Sequence, residues 1–182
     1  MIKYIFSFIL GFCCFCVHAE IFEPNTSFET CFTPGQDCTA MIVERIDHAQ
    51  SSIEVQAYTL TSYQIVKALV AAHRRGVNVQ VIVDQSQFKS GEFSRVRQLL
   101  NAGIPVWNDN TVSIAHNKVM VFDNNIVETG SFNYSTSAQK YNAENVLIID
   151  SPKLAALYLA NWQARQKVSQ SVSPFRYKRP RW

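Results

Sequence analysis

Two short apolar runs separated by a pair of asparagines constrain the fold of this chain more than any other feature. Residues 117–123 read NKVMVFD and residues 126–131 read IVETGS, with Asn124-Asn125 between them. β-Branched and apolar residues favour strands, and asparagine tolerates the positive φ angles of a tight turn. The segment therefore predicts a β-hairpin of two antiparallel strands.

Strand parity assigns the polar side chains of this hairpin to faces. Side chains alternate between the two faces of a strand, so His116 and Lys118 share one face. Asp123 has the opposite parity, and we expect it to point away from them and to anchor the turn. Gly130 ends the second strand, where a residue without a Cβ lets the backbone approach a ligand, and Ser131 adds a hydroxyl.

This cluster suits an anionic phosphorus centre. A neutral imidazole such as that of His116 can attack phosphorus, and a protonated one can deliver a proton to the leaving oxygen. Lys118, Ser131 and Asn133 can donate hydrogen bonds to the non-bridging oxygens, where transition-state charge is spread. No step calls for a metal or another cofactor. The alternative is that His116 and Lys118 are ordinary strand residues, one packed and one solvated.

The spacing H-x-K-x4-D-x6-G-S-x-N resembles the signature of the phospholipase D superfamily, whose members cleave phosphodiesters through a histidine. Further segments between residues 31 and 87, namely FTPGQDC, SIEVQAYTLTS and ALVAAHRRGVNVQVIVD, resemble its small bacterial endonuclease branch. Glu144 and Asn145 match a Glu-Asn pair of the family. The resemblance implies that Glu144 orients the catalytic imidazole; a solvated acid at the start of a strand is the alternative.

The resemblance also implies the activity and the assembly. It implies a metal-independent, non-specific endonuclease that hydrolyses DNA or RNA through a phosphohistidine. Relatives with two motifs use one histidine as nucleophile and the other as acid and base, whereas this chain carries the motif once. Its other histidines, His18, His48 and His73, lack the neighbouring pattern. We therefore expect a homodimer whose composite active site takes His116, Lys118 and Asn133 from each subunit.

Two other functions remain open at this point. A phospholipase D acting on phospholipid head groups would use the same chemistry, although the sequence shows no extra apolar funnel or interfacial helix. A non-catalytic nucleic-acid-binding module with this fold is the second alternative.

The first nineteen residues have the composition of a secretory signal. Lys3 precedes an apolar run over residues 4–17, and Val17-His18-Ala19 fits a small-x-small cleavage site. The prediction is a cleaved signal peptide over 1–19, with an uncleaved membrane anchor as the alternative. Residues 20–182 then form a single catalytic domain that is periplasmic or secreted, with no stable membrane insertion after cleavage.

The cysteines agree with export. Cys31 and Cys38 flank a Pro34-Gly35 turn and can close a local disulfide in an oxidising compartment, whereas a cytosolic protein would hold two free thiols. No histidine lies near them, so they do not predict a zinc site.

Candidate substrate contacts lie elsewhere in the chain. The net charge of +3 is too small to indicate nucleic acid by itself. The tail 176–182 is basic and aromatic, so Arg176 and Lys178 could bind a nucleic-acid strand, unless the tail is only a solvated terminus. Lys89 could reach a phosphate. Tyr58 and Asp84 end two predicted strands, where α/β sheets hold ligands, although core or turn roles are the alternative.

The remaining patterns predict an α/β fold, a mixed sheet flanked by helices on both faces, as in the phospholipase D-like α/β/α sandwich. Predicted strands beyond the hairpin cover 52–58, 78–84, 104–107 and 146–150. Predicted helices cover 39–49, capped by Thr39; 62–75, capped by Ser62 and closed by Gly76; 90–101; and 152–170, with an apolar face of Leu154, Leu157, Tyr158 and Trp162.

Overall fold

A computed structural model describes residues 19–88 and 93–173. The helices are α1 (Cys38–His48), α2 (Tyr63–Arg74), α3 (Phe93–Asn101), α4 (Thr136–Lys140) and α5 (Pro152–Val168). The strands are β1 (Ser27–Thr33), β2 (Ser52–Ala57), β3 (Asn78–Asp84), β4 (Val106–Asp109), β5 (Lys118–Phe122), β6 (Ile126–Gly130), β7 (Glu144–Asp150) and β8 (Gln170–Ser171).

Within the described residues the strands form one sheet in the order β1-β7-β6-β5-β2-β3-β4-β8. β2, β3 and β4 are parallel, and β5 joins them antiparallel to β2. Helices α1, α2 and α3 cover one face, where Ile42, Leu69 and Leu99 pack into the main core, and α5 covers the other through Ala155. The predicted mixed sheet with helices on both faces is confirmed.

The hairpin is confirmed as β5 and β6, with its turn one residue earlier than predicted. Asp123 and Asn124 take positive φ angles of 52° and 56°, and Asn125 N donates to Phe122 O at 2.9 Å. Two successive residues with positive φ are the mark of the turn that best matches strand twist.

The helices follow the predicted pattern with two corrections, one to the cap of α1 and one to the buried face of α5. Ser62 caps α2, as predicted, and accepts a hydrogen bond from Ile65 N. Asp37, not Thr39, caps α1 by accepting from Ala40 N at 2.9 Å, and Thr39 is buried inside the first turn. Leu157 does not belong to the buried face of α5, since it is 55% exposed. The helix lies over β2, β4, β5 and β6, so its Leu157 flank remains uncovered.

A disulfide joins Cys31 of β1 to Cys38 at the start of α1, as predicted. It ties an edge strand of the sheet to the first helix. The sequence patterns did not anticipate β1, which pairs with β7 along its full length, or the short β8 and α4.

Several predictions fall outside the described residues. They concern the leader over 1–18, Lys89, Arg176, Lys178 and the rest of the tail. Among the helices of the described part, none is long and apolar enough to cross a membrane.

Two buried carboxyl groups lie on opposite faces of the sheet. Burial raises the pKa of Glu54 from 4.5 to about 7, opposed by a hydrogen bond from Ser52. Glu128 is fully buried, and burial raises its pKa from 4.5 to about 8, opposed by a hydrogen bond from Tyr134. Both groups are therefore protonated in the folded protein over a range in which an unfolded chain ionises them.

This predicts a stability that falls as the pH rises. Folding takes up protons wherever a carboxyl pKa is higher in the folded state, so the stabilisation is complete below the unfolded pKa and is lost as the pH rises through the folded pKa. Between roughly pH 5 and pH 8.5 we expect Tm to fall by on the order of 5 °C. The double variant Glu54→Gln/Glu128→Gln should flatten this slope in thermal scans.

Glu44→Gln is the matched control, because Glu44 is an exposed acid on α1. It should leave the slope unchanged. An equally steep slope in the double variant would contradict the assignment.

Candidate active site

Strand pairing brings the predicted reactive residues to one edge of the sheet, the edge at which β2 and β6 end and β5 and β7 begin. Ala57, at the end of β2, pairs with Lys118, at the start of β5. β6 then returns to the same edge and ends at Gly130, which pairs with Val146 near the start of β7. His116, Lys118, Ser131, Asn133 and Glu144 all lie on or beside these strand ends.

His116 and Lys118 form a direct pair. Lys118 Nζ lies 2.9 Å from His116 Nε2 and also donates to His116 O at 3.1 Å. Because a lysine ammonium has no lone pair, Lys118 Nζ is the donor and His116 Nε2 the acceptor in this contact. His116 is exposed, whereas Lys118 is only 6% exposed. Burial lowers the pKa of Lys118, and the negative charge of Glu144 partly offsets this shift.

The ring of Tyr58 lies beside this pair and contacts both of its members. Its centroid lies 4.6 Å from that of the His116 ring, at an interplanar angle of 57°. Lys118 Nζ lies 5.2 Å from the same Tyr58 centroid. The structure thus places Tyr58, predicted as a possible substrate contact, against both His116 and Lys118.

Ser131 and Glu144 meet at the neighbouring strand ends. Ser131 Oγ donates to Glu144 Oε2 at 2.5 Å and accepts from Asn145 N at 3.1 Å. Asn142 Nδ2 donates to the other Glu144 oxygen at 2.8 Å. Within the described residues, the hydrogen-bond partners of the Glu144 side chain are therefore Ser131 and Asn142, and not His116 of the same chain.

Gly130 permits the close approach of β6 to β7. A Cβ on this residue would lie 2.2 Å from Asn145 O, so a side chain would force the two strands apart. Asn133 follows on the same loop. Its Oδ1 is buried without a hydrogen-bond partner in the part of the chain that the structure describes, which leaves an acceptor at the site.

Tyr134 fixes this loop to the end of β2. Its backbone N donates to Thr59 O at 3.1 Å, and its carbonyl accepts from Thr61 N and Ser62 N. Its hydroxyl donates to Glu128 at 2.5 Å inside the core. The loop carrying Ser131 and Asn133 is thereby connected to the segment that carries Tyr58.

Asp123 lies at the opposite end of β5, away from His116. Its carboxylate accepts hydrogen bonds from Gln50 N, Ser51 N and Ser52 N, and from the Ser51 hydroxyl. Burial acts to raise its pKa, but these hydrogen bonds hold the pKa below the usual value. The contacts connect the hairpin turn to the start of β2.

Two carboxylates hold the loop that carries His116. Asp84, at the end of β3, accepts from Ala115 N at 2.8 Å. Asp109, at the end of β4, accepts from Arg165 Nε at 2.9 Å and from Thr111 Oγ1 at 3.0 Å. Sequence reasoning missed Asp109 and left the role of Asp84 open. The available signal was an aspartate at the carboxyl end of each of two parallel strands.

Comparisons with known proteins agree on one family. Residues 42–165 match the family described as "Cardiolipin synthase, PLD-like domain". A phospholipase D of Rickettsia prowazekii is 45% identical over 154 residues, which cover 85% of this chain and 74% of that protein. A mitochondrial cardiolipin hydrolase of Xenopus laevis is 30% identical over 145 residues, covering 74% and 69% respectively.

The fold matches a solved structure. Nuc from Salmonella typhimurium, a phospholipase D family member, superposes with a TM-score of 0.79 at 35% identity. The match covers 81% of this chain and 99% of that one.

The position of Asp123 predicts a loss of stability rather than of chemistry. Asp123→Asn removes the charge that accepts several backbone hydrogen bonds, and we expect it to cost about 1–2 kcal/mol in denaturant unfolding. Because the carboxylate lies far along β5 from His116, kcat should change by less than about twofold. Asp47→Asn, at an exposed acid on α1, is the control and should change neither quantity. A large loss of kcat at unchanged stability would place Asp123 in the chemistry instead.

Proposed function

This chain belongs to the phospholipase D superfamily of phosphodiesterases, and we propose that it is a metal-independent endonuclease that hydrolyses DNA and RNA through His116. The observation that carries the proposal is the pair formed by Lys118 Nζ and His116 Nε2, 2.9 Å apart at an exposed sheet edge. It supplies a neutral imidazole nucleophile beside a cation that binds a phosphate oxygen.

In the proposed reaction, substrate first competes for Lys118. A phosphate oxygen accepts the hydrogen bond that the Lys118 ammonium otherwise donates to His116 Nε2. The lone pair of Nε2 is then free to attack phosphorus. A phosphohistidine forms while a second imidazolium protonates the departing oxygen. The second histidine, now neutral, takes a proton from water, and the resulting attack releases the other product and restores His116. The Asn133 side-chain nitrogen, and the Ser131 hydroxyl once it turns from Glu144, complete the set of proposed donors to the phosphate.

The second histidine comes from a second copy of this chain. His48 is hydrogen-bonded to Glu44 O at 2.7 Å on α1, and His73 lies on α2 beside Gly103. Neither lies at the catalytic edge of the sheet. A homodimer that pairs two such edges around a twofold axis would bring two His116 rings to one phosphate. Glu144 would then orient an imidazole within this composite site.

Nucleic acid is the substrate class that we favour. The chain resembles the small bacterial endonucleases along most of its length. The described apolar groove formed by Phe22, Phe28, Leu147 and Ile149 lies toward the other end of β1 and β7, and not beside His116. An exposed imidazole at an open edge is accessible to a polymer backbone.

Phospholipid head groups are the second candidate substrate. Curated relatives named phospholipase D and mitochondrial cardiolipin hydrolase favour it. So do Phe32, Ile114 and Tyr141, exposed apolar side chains in segments near the catalytic edge. A non-catalytic binding module is the third possibility, and the assay below distinguishes all three.

We also propose that residues 20–182 form one catalytic domain in the periplasm or outside the cell. The Cys31–Cys38 disulfide supports an oxidising compartment.

The substrate assay compares plasmid DNA, RNA, phosphatidylcholine and cardiolipin vesicles, each with excess EDTA. We expect cleavage of both nucleic acids and little lipid hydrolysis, because the phosphodiester chemistry needs no metal. His116→Ala should lower turnover by at least about a thousandfold while leaving Tm near that of the wild type. Preferential lipid hydrolysis would favour the second candidate, and binding without turnover the third.

Subunit mixing tests the composite site. Wild type and His116→Ala chains are unfolded, mixed and refolded together, so that subunits pair at random. If each site needs two His116 rings, activity follows the square of the wild-type fraction, and an equal mixture retains about one quarter. Activity proportional to the wild-type fraction, about one half, would show that each subunit acts alone.

A further inference from the structure

The ring of Tyr58 contacts both members of the proposed catalytic pair. It lies 4.6 Å from the His116 ring and 5.2 Å from Lys118 Nζ, centroid distances at which aromatic and cation–π contacts are favourable. A carboxylate at this position would attract both groups but would also compete for their protons. An aromatic face attracts them without acting as a base.

The backbone around Tyr58 is fixed on both sides. Tyr58 N donates to Asn117 O at 2.8 Å, which extends the pairing of β2 with β5 to the residue between His116 and Lys118. Leu60 N donates to the buried Gln87 side chain at 2.9 Å, and Thr59 O accepts from Tyr134 N. The ring therefore projects from a rigid segment, whereas His116 precedes β5 and is exposed.

Once substrate binds, the contact with Tyr58 is the main restraint that the same chain places on the His116 ring. In the described residues, the His116 imidazole has Lys118 Nζ as its hydrogen-bond partner. In the proposed reaction the Lys118 ammonium turns to the phosphate when substrate binds. The Glu144 carboxylate of the same chain is hydrogen-bonded to Ser131 and Asn142 and not to His116. The ring of Tyr58 does not compete for phosphate, so its contact with the imidazole persists through the reaction.

We propose that Tyr58 is a positioning residue whose aromatic ring holds the His116 imidazole in the orientation for attack on phosphorus. This inference rests on the proposed function of His116. It differs from a role for Tyr58 in substrate binding, because the ring acts through His116 and would change kcat rather than KM. The hydroxyl has no part in it.

The chain contains a matched control. Tyr63 and Arg95 form the other tyrosine–cation contact of the described residues, with the guanidinium 5.1 Å from the ring centroid. Tyr63 is 53% exposed and begins α2, without a ring contact to His116. Tyr63→Leu thus removes a comparable contact outside the reactive pair.

The kinetic test uses the full chain and bis(p-nitrophenyl) phosphate, a small phosphodiester. Tyr58→Leu should lower kcat about tenfold with little change in KM, since the loss falls on the reacting geometry. Tyr58→Phe should stay within about twofold of the wild type, as should Tyr63→Leu. Thermal scans check that each variant is folded, and Tyr58→Met replaces Tyr58→Leu if the latter does not fold.

Three kinetic results would overturn the inference. Wild-type kcat in Tyr58→Leu would show that the ring is dispensable. A raised KM at unchanged kcat would make Tyr58 a substrate contact. An equal loss in Tyr58→Phe would assign the effect to the hydroxyl.

A second measurement does not depend on turnover. The NMR signal of the His116 ring, assigned by its loss in His116→Ala, should carry a ring-current shift from Tyr58. That shift should persist in Tyr58→Phe and Tyr63→Leu and disappear in Tyr58→Leu. If the wild type hydrolyses no phosphodiester, the proposed function fails, while the ring-current shift still decides whether Tyr58 holds His116. An unchanged shift in Tyr58→Leu would overturn that contact.

Discussion

The pairing of β5 with β2 on one side and β6 on the other is the constraint on which the whole site depends. β5 enters antiparallel beside the parallel unit of β2, β3 and β4, so its first residues lie where β2 ends. The hairpin then returns β6 to the same edge, and β7 starts there. A shift of register by one residue would turn Lys118 to the opposite face and separate it from Tyr58.

Buried and half-buried carboxyl groups maintain this arrangement away from the proposed reacting groups. Asp123 connects the far end of the hairpin to the start of β2, and Asp84 and Asp109 hold the loop before His116. Glu128 binds the Tyr134 hydroxyl, and the backbone of Tyr134 joins the Asn133 loop to the end of β2. Buried acids are tolerated here because each accepts hydrogen bonds. They give the edge that carries the candidate site a rigid support.

Local patterns predicted the elements whose signals lie close together in sequence. The hairpin, the Ser62 cap and strand β3 were predictable because turn residues, a capping hydroxyl and an apolar run act within a few residues. The cap of α1 was predicted wrongly, although aspartate ranks above threonine as a capping residue and Asp37 lies only two residues before Thr39. Leu157 was misplaced because helical periodicity does not tell which strands a helix covers. β1 was missed because its partner β7 lies more than a hundred residues away.

The sequence by itself predicted the proposed reactive set, His116, Lys118, Ser131 and Asn133, because their spacing resembles the family signature and strand parity puts His116 and Lys118 on one face. It also separated Asp123 from that set, since alternation of side chains is a local property. Only the tertiary structure placed Tyr58 against His116 and Lys118, and Glu144 against Ser131 and Asn142. Those contacts join strands that are distant in sequence, and their geometry follows from sheet order and register, which no local pattern encodes.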